Sequence, residues 1–391
     1  MFRKRLFKIS LVFGTLVAFF LTVTVGVYAA GKTEEKTKEK KVTAPAPEKN
    51  GLSQDLMKQL EKQGKVLNIY DWADWWPGEI YSGFSKEYGI KIVRDNYAST
   101  DEMITKFKLN PNASYDITIA ETRAIIMLKK LGVLQKLNHS WIPNAEKYLP
   151  ELTKNAWFDP GYHYSIATDL YFLGYCYNTK YVKKNDPRIG SWKMLFEGAK
   201  DYSGKVTLLD SMYSVIGCAL KSLGYSYNSD NEQELKEAEN LLLKIKPYIS
   251  TFDDWPKRLV IEENAWMSQV WVGDAWLIHQ DNPAIEAVLP KEGTLMGVDV
   301  LVIPKGSKHT AAAHLFMNYI LRPDINALLI KTIGYAPNHT VSGSLLPEDM
   351  QKWPGVRVSK EYLKKCEYIS PKSYTGKGLE LRTKIWEKLK R

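Results

Sequence analysis

The sequence predicts an α/β protein built as two lobes, each a doubly wound, mostly parallel sheet covered by helices. Three observations carry this. Short apolar runs alternate with amphipathic segments of helical period. The alternation runs twice, on either side of one continuous β-type stretch. The length, 391 residues, is roughly two to three typical domains.

Taken in order, Val66-Leu67-Asn68-Ile69-Tyr70 is a buried-strand run followed by the turn-rich WADWWPGE. Ile80 to Tyr88 has helical period and is closed by Gly89, a stop signal. Ile90 to Val93 predicts the next strand, Asp101 to Leu109 a helix, Asp116 to Ala120 a third strand, and Thr122 to Leu131 a helix ending at Gly132. Such strand–helix alternation favours a parallel sheet with helices on both faces. Tyr164 to Tyr177 (YSIATDLYFLGYCY) is β-type throughout. A second set then follows: strand at Lys205–Leu209, helices at Tyr213–Leu223 and Glu232–Ile245, and Ala265–Trp271 leading into a strand. Val298–Pro304 reads as strand and Ala311–Leu321 as helix.

The ends of the chain and its charge bound the function. Lys and Arg exceed Asp and Glu by 54 to 44. Four of those cations, Arg3, Lys4, Arg5 and Lys8, precede an uncharged stretch from Ile9 to Ala30 that ends in small residues. This is the pattern of a signal peptide, and a retained N-terminal anchor is its alternative. Both send the chain out of the cytoplasm. Residues 31–50 are Lys, Glu, Thr, Ala and Pro and read as a disordered linker. What remains is only mildly basic, so nucleic acid is not an expected partner. Cys176, Cys218 and Cys366 are too widely spaced for a disulfide scaffold or a zinc cluster. A Cys176–Cys218 bridge stays open, and Cys366, after two lysines, is expected to be the most exposed of the three.

Two clusters combine indoles with acids. Trp72-Ala73-Asp74-Trp75-Trp76 follows the first predicted strand, at the carboxyl end where open α/β sheets collect ligands. Trp271-Val272-Gly273-Asp274-Ala275-Trp276 again follows an apolar run, with Gly273 allowing close backbone approach in a turn. Asp299 stands among apolar residues, so it needs a partner from protein or ligand. Tyr335 adds an aromatic in a Gly/Pro turn. Each feature alone is compatible with ordinary packing. Together, indole faces and carboxylates are what a desolvated organic cation needs. The six His form no HExxH, and no GxSxG, P-loop or GxGxxG is present. A carboxylate-pair glycosidase would also combine Trp platforms with two acids, and it stays as an alternative.

With these residues on the page, the chain resembles the bacterial periplasmic spermidine/putrescine-binding proteins, receptors of ABC polyamine importers. The resemblance runs from about residue 64 to the C-terminus through YDWADWWPG, FSKEYGIKI, YDITIAET, LKSLGYSYNS, QVWVGDAW, LPKEGTLMGVDVLVIPKGS, YILRPDIN and TIGYAPN. It implies the two-lobed periplasmic-binding-protein fold, with lobes joined by crossing hinge strands. The lobes are placed at 64–170 plus 298–343 and at 171–297 plus 344–391. It implies ligand roles for Trp72, Asp74, Trp75, Trp271, Asp274, Asp299 and Tyr335. It also implies an extracytoplasmic monomer that hands a small di- or polyamine to a membrane permease, without catalysis, cofactor or metal.

Several positions depart from the family. Glu121 and Arg123 stand where Ser/Thr and an aromatic are usual, Ser211 and Ser214 where acids are frequent, although Asp210 remains, and Gly297 where a tryptophan is found. Counted as ligand-facing, Asp74, Glu121, Asp274 and Asp299 outweigh Arg123, which still favours a cation. Arg123 pairing internally with Glu121 fits that reading. Arg123 meeting a ligand carboxylate would favour an amino acid, a betaine or another small solute.

Overall fold

The computed structural model describes residues 52–73 and 75–391. The targeting segment at 1–30, the linker at 31–50 and Asp74 lie outside the described residues.

Among the described residues, ten strands form the sheet framework: β1 (Val66–Trp72), β2 (Lys91–Tyr97), β3 (Ile117–Glu121), β4 (Ser165–Asn178), β5 (Val206–Leu208), β6 (Ile249–Phe252), β7 (Met267–Trp271), β8 (Ile285–Val288), β9 (Met296–Val302) and β10 (Ala336–Pro337). Their order is β2-β1-β3-β9-β4-β7-β5-β6, with β10 and β8 also paired to β4. The predicted helices at 80–88, 101–109, 122–131, 213–223, 232–245 and 311–321 are all present to within two residues. Gly89 and Gly132 close two of them in the left-handed conformation that glycine adopts without penalty.

Each set of strands is parallel, as expected, and the antiparallel pairings fall on the strands between the sets. β1 pairs in parallel with β2 and β3, and β5 with β6 and β7. Between these two parallel sets, β9 runs antiparallel to both β3 and β4, and β4 antiparallel to β7 and β8. The connecting strand is β4, 14 residues long. Its first part, Ser165 to Phe172, pairs with β9, and its second part, Leu173 to Asn178, pairs with β7 and β8. One strand thus joins the two sets: it runs in the same sense as β3, with β9 antiparallel between them, and antiparallel to β7 of the second set.

Two apolar cores flank the sheet. The larger gathers Ile69, Phe84, Ile119, Val300 and Phe316 with Ala275 and Trp353. The second gathers Trp192, Phe196, Val215, Tyr227 and Leu242 around β5 and the second part of β4. Cys176, Cys218 and Cys366 are all free thiols and all buried. Cys366 is the most exposed of the three, as expected, at 8% against 0% for the other two, although it too packs against the larger core. His314 accepts a hydrogen bond from the Asn138 N–H and His309 sits against Asp116, which gives both histidines local structural partners.

Candidate functional site

The site is built where β3, β9 and β4 lie side by side. Asp299 on β9 is paired across one ladder with Glu121 on β3, and across the other with Asp169 on β4. Residues directly opposite in antiparallel strands point to the same face, so three acids line up across three neighbouring strands. Like charges so placed oppose one another.

Asp169 arrives there through a one-residue irregularity. Ala167 opposes Val300 and Asp169 opposes Asp299, leaving Thr168 as the extra residue. A regular ladder would set Thr168 opposite Asp299 and turn Asp169 to the other face. The buried Thr168 hydroxyl bonds both sides of the kink, lying 2.9 Å from Asp169 Oδ2 and 3.2 Å from the Asp299 carbonyl.

The same register sets Tyr171 opposite Gly297. A Cβ at Gly297 would run into the Tyr171 ring. The Tyr171 ring thus occupies the space that a side chain at position 297 would need. Rings then continue in both directions: Tyr171 meets Trp271 edge-on at 5.2 Å and Tyr335 at 6.2 Å, and Tyr335 meets Trp75 at 5.3 Å. Trp75, Tyr335, Tyr171 and Trp271 form one chain of aromatic faces.

Tyr335 is held by a glycine. Gly273 is not in a turn, as expected from the sequence, but in the first turn of the helix Val272–Asp281, which begins directly after Trp271. A Cβ on Gly273 would overlap the Tyr335 ring. The next residue, Asp274, is buried, and its Oδ1 has no hydrogen-bond partner. Burial pushes its carboxyl up to about 7, against the easing influence of the Tyr335 hydroxyl and Lys257.

The other acids share this condition. Asp169 Oδ1 is also buried without a partner. Burial pushes the Asp169 carboxyl up. Asp299 is held well above the usual carboxylate range by burial and by the charges of Asp169 and Glu121, and the Trp75 indole nearby does not hydrogen-bond it. That indole N–H is itself buried without a hydrogen-bond partner. Among the described residues, no basic side chain forms an ion pair with Asp169, Asp274 or Asp299.

The remaining expected residues are placed differently. Glu121 caps the helix Thr122–Leu131, accepting bonds from the Arg123 and Ala124 N–H groups. Arg123 lies 2.9 Å from Asp101 and 3.6 Å from Glu121, an internal pairing. Ser211 caps the helix Met212–Ser222, and the Ser214 hydroxyl donates to it at 2.9 Å. Trp72 packs its ring on Tyr97 at 4.5 Å, apart from the chain of rings around Tyr335. Nothing is described for Asp74. Asp169 and Tyr171 were missed from the sequence. Asp169 carried the signal that singled out Asp299, an acid inside an apolar strand. Tyr171 carried none, because only the register brings it over Gly297.

Comparison with known proteins sets this geometry in context. The family described as bacterial extracellular solute-binding protein matches residues 79–358. The spermidine/putrescine-binding periplasmic protein of Escherichia coli is 29% identical over 331 residues, 83% of this chain and 91% of that protein. The putrescine-binding periplasmic protein SpuD of Pseudomonas aeruginosa is 30% identical over 342 residues, 83% of this chain and 92% of that one. Among solved structures, the spermidine/putrescine ABC transporter substrate-binding protein PotD of Streptococcus pneumoniae superposes with a TM-score of 0.76 at 28% identity, covering 84% of this chain and 99% of its own.

Proposed function

Because this chain belongs to the bacterial extracellular solute-binding proteins, we propose that it is the polyamine receptor of an ABC importer, with a short diamine of the putrescine type as its preferred ligand. The observation that carries the reading is the group of buried carboxyls, Asp169, Asp274 and Asp299, without a basic partner and lined by Trp75, Tyr171, Trp271 and Tyr335. Buried carboxyls without a counter-charge are costly, and an alkyl ammonium relieves that cost. Ring faces contribute on the order of 0.5–2 kcal/mol per well-placed contact with an ammonium. Methylenes of the ligand would lie along the same rings.

The preference for a short diamine follows from Ser211 and Ser214. They bond one another where the resemblance implies acids, and the neighbouring Asp210 is paired with Lys390, so none of the three offers a free carboxylate to a further ammonium. Arg123 is engaged by Asp101 and Glu121, which disfavours a zwitterionic amino acid. Ligand held between the lobes 64–170 plus 298–343 and 171–297 plus 344–391 would favour a closed form that the permease reads, with β4 and β9 as the crossing strands. No chemistry on the ligand is part of this reading.

Calorimetric titration of the full chain, unfolded and refolded to strip carried ligand, tests it. Saturable binding of putrescine, tighter than that of spermidine and weakened more than tenfold in Asp299→Ala, is the expected result. Absence of binding by either amine to folded protein would overturn it.

A further inference from the structure

Two of the buried acids form a unit that neither the sequence nor the family pattern announces. Asp169 and Asp299 face each other directly across β4 and β9. The placement depends on the extra residue Thr168, whose hydroxyl ties Asp169 Oδ2 to the Asp299 backbone. Both carboxyls are buried, and Asp169 Oδ1 has no partner.

We propose that Asp169 and Asp299 act as one dicarboxylate that shares a single proton until an ammonium group of the ligand replaces it. The proposal rests on the cation reading above and makes Asp169 a ligand-binding residue. Two carboxylates set directly opposite each other on neighbouring strands cannot both ionise cheaply in a site that excludes water, so the pair keeps one proton. When the ammonium enters, it supplies the counter-charge and donates its own N–H groups to both carboxylates, and the shared proton leaves to the solvent buffer. Binding of a cation is then coupled to proton release, and affinity rises with pH through the neutral range.

The surroundings support this assignment. Glu121 on β3 adds a third negative group beside Asp299. Tyr335 and Tyr171 face the pair with hydroxyls that burial keeps protonated. Tyr97 on β2 is likewise kept protonated. Asp274 belongs to the same acidic surroundings of Tyr335, and Lys257 acts on Asp274 alone of the three aspartates. Arg123, two residues after the end of β3, is committed to Asp101 and Glu121.

Two measurements test it. In the unliganded protein carrying carbon-13 in its aspartate carboxyls, NMR titration from about pH 4 to about pH 9 should show, beside the Asp274 step that Asp274→Asn removes, a second carboxyl step near neutrality that disappears in Asp169→Asn. Calorimetry with putrescine in two buffers of different ionisation enthalpy should show the parent releasing about one proton more than Asp169→Asn at pH 7. Should Asp169→Asn fail to fold, Asp299→Asn removes the same step from the other side of the pair. Both aspartates titrating together in the ordinary range, or equal proton release by parent and variant, overturns the proposal. A folded protein that binds no amine overturns the polyamine reading and the exchange with it, while the carboxyl titration still decides the shared proton.

Discussion

Asp116 and Asp299 are equally buried, at 1% and 5% exposure, and stand at opposite ends of β3, yet they live in opposite conditions. Asp116, just before the strand, accepts from the Asn68 N–H and amide at 2.8 Å and from the Ser307 hydroxyl at 2.9 Å. It also accepts from the N–H groups of Lys308 and His309 at 3.1 and 3.0 Å. Burial pushes this carboxyl up, but the Asn68 N–H, His309 and the other donors outweigh it and hold it below the usual range. Asp299, opposite the last residue of β3, accepts no such set of bonds and is held far above that range by burial and by its acidic neighbours. The first carboxylate ties a loop to the sheet, and the second is left for something from outside. Burial alone therefore does not mark a binding residue; burial without donors does.

The largest expected effect breaks the first half of that contrast. Asp116→Ala leaves several buried N–H donors unpaired and should destabilise the fold by about 3–5 kcal/mol in urea titration at pH 7. Asp299→Asn, measured in the same way without ligand, should stay within about 1 kcal/mol of the parent or exceed it, because it removes a charge that has no counterpart. A reversal of that order would refute the comparison. The pH dependence runs in opposite senses. The folded-state value of Asp116 is lowered, so its contribution is present above the unfolded value near 3.8 and is lost as pH falls through the folded value. Asp274, raised to about 7, costs the unliganded fold stability as pH rises from near 3.8 through about 7, and a cationic ligand should remove most of that cost.

The second half of the contrast concerns affinity. Asp299→Ala should weaken putrescine binding by roughly 2–5 kcal/mol, since an ammonium would be buried without its carboxylate. A loss smaller than tenfold in calorimetry would move the role elsewhere in the row.

A smaller effect sharpens the role of the ring faces. Gly273→Ala forces the Tyr335 ring from its place, and should cost about 1–3 kcal/mol of stability and reduce amine affinity. Melting curves with and without putrescine separate the two losses, and an unchanged ligand-induced shift would show that Tyr335 is dispensable.

The smallest effect is expected at Arg123. Its partner Asp101 is 77% exposed, and such pairs contribute about 0–1 kcal/mol. Arg123→Gln should therefore leave stability nearly unchanged and alter putrescine affinity less than tenfold. A gain of more than tenfold would show that the guanidinium repels the ligand, and a collapse would show that it orders Glu121.

Much of this molecule could be read from residue order. Strands and helices were legible from their periods and their glycine stops, because both are local. Asp299 and Asp274 were legible because an acid within apolar sequence must find a partner. The direction of β4 was not, since strand direction depends on which neighbours a strand reaches. Nor were Asp169 and Tyr171 legible as site residues. Their placement depends on one extra residue, Thr168, in a ladder with a strand about 130 positions away, and a slip of one residue would turn both to the opposite face. Sequence determined which chemistry was available, acids and indoles in apolar surroundings. Tertiary pairing decided which of them meet, because a side chain's face is set by the strand beside it and not by its neighbours in the chain.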